Sequence, residues 1–135
     1  MNPSGEALKK EIEEFADDWH WDEKSEHYAF EMAKFLFSFM DFLKDQNLSE
    51  RTLKKHSDNV YYIGMFEMQY GYWDDDPFYP ENLEGEPDFV YEYEWKISDS
   101  PAAVQSYEST WRKLDRYIKS GAYEKYLQRI EDQLK

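Results

Sequence analysis

No cysteine occurs in this 135-residue chain. Disulfide staples and thiolate metal centres are therefore excluded, and the composition suits a reducing compartment. Glycine and proline are scarce, five of each, so the chain is neither collagen-like nor a low-complexity linker. Positive charge is also in short supply: 16 Lys and Arg stand against 30 Asp and Glu, a net charge of −14. Such a surface repels a phosphate backbone or an anionic bilayer at long range, which disfavours nucleic acid and membrane as partners of the surface as a whole. No stretch approaches the ~20 consecutive apolar residues that span a bilayer. The opening MNPSGEALKKEIEEF has no apolar run of the kind a signal peptide needs. The expectation is a soluble, cytoplasmic protein.

Catalytic signatures are missing as well. There is no P-loop, no dinucleotide fingerprint and no serine in a nucleophile-elbow context. No catalytic residue and no cofactor is assigned, and the chain is read as a protein without enzymatic activity.

What the sequence has in excess is aromatic rings, 19% of residues. Disordered chains are poor in rings, so this argues for an ordered fold even though 34% of residues are charged. The length fits one domain. The charge is unevenly spread. Residues 1–33 carry ten acids and three bases, residues 34–70 five of each, residues 71–100 ten acids and one base, and residues 101–135 five acids and seven bases. Two acidic segments thus alternate with two nearly neutral ones.

Periodicity places the elements. Leu8, Ile12 and Phe15 predict an amphipathic helix over 6–18. Residues 23–46 predict a long second helix. Its Phe35, Leu36, Phe39, Met40, Phe42 and Leu43 form an apolar face too wide for one contact, so it should sit centrally. Asn47 is its stop and Ser49 the N-cap of a third helix over about 50–70, with His56 at a core or boundary position. Residues 71–88 have loop composition, and a loop of that length in a compact domain is usually functional or disordered. Phe89–Ile97 alternates, with Tyr91, Tyr93, Trp95 and Ile97 on one side, and predicts a short strand. A lone strand needs a partner, so it must pair with a copy of itself to give a homodimer, pair with another protein, or instead be an extended or helical segment packed on helices. Ser100-Pro101 opens a helix to about Lys119, Ser120-Gly121 breaks it, and residues 122–134 form the last. The fold expected is mainly α, about five helices in one bundle-like domain, with a long acidic-aromatic connection and one short strand.

Two groups of carboxylates invite a metal. Glu23, His27 and Glu31 share a helix face at four-residue spacing, and Asp74, Asp75 and Asp76 are consecutive. The first reads as a solvated face. The second lacks the alternating ligands, central Gly and terminal Glu of a calcium loop. No metal is assigned.

The acidic-aromatic stretch is the leading candidate surface. Rings are enriched at interfaces, and Tyr72, Trp73, Phe78 and Tyr79 with Asp74, Asp75 and Asp76 would anchor and steer a basic protein partner, unless these rings fold back to cap the helical core. An alternative use of the same acids, with those of 11–31, is as phosphate mimics in a DNA-mimic inhibitor.

Bases gather elsewhere, at Lys44, Arg51, Lys54 and Lys55. The surrounding FLKDQNLSERTLKKHSDNVYYIGMF, residues 42–66, resembles the helical core-binding (SAM-like) domain of the tyrosine recombinases, the phage integrase family. The shared pattern is a helix ending in Phe-Leu, a short link, Leu-Ser-x-x-Thr, and a helix bearing a His and spaced apolar residues. Domains of that family clamp DNA beside a separate catalytic domain. The resemblance implies that Ser49, Arg51, Thr52, Lys55 and His56 surround the inter-helix link, with the bases near DNA backbone. The catalytic Arg and Tyr of that family have no counterpart in these 135 residues.

Overall fold

The computed structural model describes residues 23–70 and 77–134. Five α-helices occur among them: α1 (Glu23–Lys44), α2 (Glu50–Tyr70), α3 (Val90–Lys96), α4 (Pro101–Ser120) and α5 (Ala122–Leu134), with a 3-10 turn at Pro80–Leu83 before α3. The helix expected over 6–18 lies outside the described residues.

The long α1 is central, as its wide apolar face requires. Tyr28, Ala29, Met32, Ala33, Phe35, Leu36, Phe39 and Leu43 are all buried, and the Met, Phe and Leu side chains among them each contribute about 1.5–3 kcal/mol on leaving water. The helix packs on α2 along one side and on α5 along another. Rings from α4 and α5 close over it: Tyr117 lies 5.8 Å from Phe35, 5.5 Å from Phe39 and 4.9 Å from Phe42, and Tyr123 meets Phe35 edge-on at 4.9 Å.

The helix ends follow local chemistry. Asn47 takes φ 57° after α1, a left-handed position that Asn tolerates better than most residues. Ser49 Oγ accepts from the Thr52 amide at 3.2 Å and so caps α2. Ser100 Oγ accepts from the Ala103 amide, with Pro101 at the first helical position of α4. Gly121, at φ 75°, ends α4 and turns the chain into α5.

Of the alternatives open for Phe89–Ile97, the strand is corrected: the segment is helical and packed on helices, and no strand is present among the described residues. The Tyr93 amide donates to Phe89 O at 2.9 Å and the Ile97 amide to Tyr93 O at 2.8 Å. The physical reason is a second period hidden under the alternation. Phe89, Tyr93 and Ile97 recur every four residues and turn toward the helical core. Phe89 sits 6.2 Å from Trp111, and Tyr93 stacks on Tyr107. With no edge strand, the proposed route to a homodimer by strand pairing loses its basis.

With the exception of the Trp111 indole N–H, the buried polar side chains find hydrogen-bond partners among the described residues. Ser38 Oγ donates to Phe35 O at 2.6 Å, so its contact with Tyr117 at 2.8 Å is donated by the tyrosine hydroxyl. Burial pushes the Tyr117 phenol up to about 12. Between α2 and α4, Thr110 donates to Ser106 O, so its oxygen accepts from Asn59 Nδ2 at 2.9 Å and from His56 Nδ1 at 2.7 Å. That assigns the proton of the neutral imidazole to Nδ1. Burial, then the charge of Lys113, holds His56 below its ordinary pKa.

Candidate interaction surface

Over its described residues, 77–100, the second acidic segment divides into an inner and an outer set of rings. From Pro77 onward it is tied down by its backbone and by side chains of the bundle. Leu83 in the 3-10 turn is buried. Asn82 Nδ2 donates to the Tyr28 hydroxyl at 3.1 Å, and that hydroxyl donates to the buried Glu67 at 2.8 Å. The Gly85 amide donates to Asp115 Oδ1 at 2.8 Å, at a φ of 116° that favours glycine. Tyr107 Oη donates to Asp88 O at 2.8 Å. The connection is therefore ordered over 77–100 by contacts to α1 and α4.

The predicted anchors separate accordingly. Tyr72, Trp73, Asp74, Asp75 and Asp76 lie outside the described residues. Phe78 turns inward: it is 8% exposed, edge-on to Tyr28 at 5.3 Å and 5.9 Å from Phe35. Its ring is part of the core and is not displayed to a partner. Tyr79 is 56% exposed.

Two outward rings on α3 were read differently from the sequence. Tyr91 and Trp95 are 75% and 74% exposed. Standing four residues apart on a helix, they share its outer face, whereas Tyr93 between them is buried. A strand would have put all three on one side. Glu81, Glu84, Glu86, Asp88 and Glu94 are exposed in the same segment, and Lys96 is its one base. Tyr70, at the end of α2, adds a fourth outward ring.

Lys96 occupies a defined place in this surface. Its Nζ stands 5.0 Å from the centre of the Tyr70 ring and 5.9 Å from that of Trp95, and donates to Gln69 Oε1 at 3.2 Å. Helix α2 has no basic residue in its own last turn. Lys96 therefore brings a cation beside a helix C-terminus that lacks one, where the helix dipole favours positive charge.

The basic residues Lys44, Arg51, Lys54 and Lys55 are all exposed around the α1–α2 turn. Lys54 lies 3.8 Å from Asp58, an exposed i, i+4 pair of little energetic weight. His56, which the recombinase resemblance placed beside them, is buried and faces α4. His27 is exposed on α1.

These features define a mainly α-helical protein carrying an acidic face with outward rings. No family model matches the chain, and no curated protein or solved structure matches it. No described helix is long and apolar enough to cross a membrane.

Proposed function

We propose that this protein is a noncatalytic interaction module that takes a basic protein partner on its acidic-aromatic segment. The observation that supports the reading is the outward pair Tyr91 and Trp95 amid exposed carboxylates. Exposed rings of this size are costly to leave in water and are over-represented where proteins meet. The carboxylates would draw a basic partner in, and the rings would hold it by burial. The test is affinity capture with the intact chain, with Trp95→Ala and with Tyr91→Ala, at low and high salt. A partner retained by the parent, and weakened both by the substitutions and by salt, supports the reading. A complex indifferent to both counts against it, because steering by exposed charge is screened.

A second reading rests on the exposed Lys44, Arg51, Lys54 and Lys55 and on the capped α1–α2 hairpin. In it the hairpin meets duplex DNA as in the recombinase-like domains it resembles. It requires binding to duplex DNA at low salt that disappears on changing Lys54 and Lys55 to Glu. Retained binding in that variant would place the contact elsewhere.

A further inference from the structure

Resting on the interaction reading above, we propose that the rings of Tyr70 and Trp95 form a seat for a cationic side chain, that Lys96 fills it in the free protein, and that an arginine-rich segment of the partner replaces it there. Lys96 is the single base among ten acids in residues 71–100, and its ammonium lies against two rings of that surface rather than free in solvent. The seat is reachable from outside. Trp95 is 74% and Tyr70 48% exposed, and Lys96 itself is exposed. Among the described residues its hold is one hydrogen bond to Gln69 and two ring contacts, with no carboxylate ion pair.

The chemistry favours arginine as the replacement. A flat guanidinium stacks on a ring face and keeps its edge donors free, whereas an ammonium is a compact and strongly hydrated point charge. Tyr91 stands one turn before Trp95 on α3, and the exposed Glu94 of the same short helix offers a carboxylate acceptor to those edge donors. The net charge of the segment selects a cationic occupant over an acidic or an apolar one. In the free protein Lys96 then acts as an internal competitor, lowering the affinity of the face for weakly basic segments.

The test is a calorimetric titration of the full chain with nona-arginine and with nona-lysine, comparing the parent with Lys96→Met, Lys125→Met and Trp95→Ala. Circular dichroism establishes that each is folded. Lys125 is exposed on α5, so its substitution removes the same charge away from α3. The expected result is that Lys96→Met binds nona-arginine about two- to fivefold tighter than Lys125→Met does, the range of one exposed cation–ring contact, and that Trp95→Ala lowers the preference for arginine over lysine. Equal gains in the two methionine variants overturn the seat while leaving the interaction reading standing, since net charge alone then explains them. Absence of nona-arginine binding in every variant overturns both. Self-association of Lys96→Met in sedimentation, without peptide binding, makes a second copy of the chain the occupant and overturns the arginine-rich partner.

Discussion

The rings of Tyr93 and Tyr107 lie stacked, with centroids 4.4 Å apart and planes 19° from parallel. This contact joins the short α3 to α4 and fixes which side of α3 faces water. Tyr93 is 4% exposed and Tyr91, two residues before it, 75%. Truncating the two should therefore have unequal effects. Tyr93→Ala should cost about 3 kcal/mol, as for other large buried rings, and Tyr91→Ala within about 0.5 kcal/mol, as for surface positions. Urea denaturation of both measures this. Equal losses would fit a strand with both rings on one face and would contradict the helix.

The same division operates in the neighbouring connection. Phe78 packs on Tyr28 and Phe35, and Tyr79 faces solvent. Phe78→Ala should lose about 3 kcal/mol, and Tyr79→Ala should leave the midpoint nearly unchanged. Replacing the whole connection by a Gly/Ser linker removes Phe78 and Leu83 from the core at once, so that variant should lose its cooperative transition. Single outward substitutions are the informative ones for binding.

What could be read from the sequence depended on whether one period dominated a segment. The run from Phe35 to Leu43 has only helical spacing, and the central position of α1 followed from its width. Ser49, Pro101 and Gly121 marked helix ends because each satisfies or releases a backbone group in a way few residues can. Phe89–Ile97 carried two periods, every second residue by type and every fourth by apolarity. With nine residues the alternation was the more conspicuous. The row Phe89, Tyr93, Ile97 was the available signal for the helix. The Lys96 contact with Tyr70 joins residues from two helices, and no local pattern announces it. Phe78 and Tyr79 are adjacent and chemically alike, so only the packed structure distinguishes the inward ring from the outward one.

Asp115 ties the connection to α4. Burial alone would raise its carboxyl, but the hydrogen bonds from Lys119 and from the Gly85 amide outweigh that and hold it below its ordinary 3.8. A depressed acid stabilises the fold above its unfolded value and loses that contribution as pH falls through its folded value. Asp115→Ala should cost about 1 kcal/mol at neutral pH and speed hydrogen exchange at the Gly85 amide. An unchanged Gly85 exchange rate would mean that the contact does not hold the connection. The cost should shrink below pH 3.8 as the parent's carboxylate becomes protonated.

His56 gives the protein a second pH dependence, in a higher pH range. Its imidazole is held below 6.5 first by burial and then by Lys113. The unfolded chain therefore binds a proton at a pH where the folded one does not. Stability is full above 6.5 and falls as pH drops from there toward the folded value, with a slope of at most about 1.4 kcal/mol per pH unit for one proton. Protonation would also put a charge beside Thr110 and Asn59 in a site that is 4% exposed. His56→Gln can keep one hydrogen bond to Thr110 while removing the titration. Its urea midpoint should be lower than the parent's at pH 7.5, and the gap should narrow toward pH 5. A parent whose midpoint runs parallel to that of the variant across this range would show that His56 takes up its proton equally well in both states.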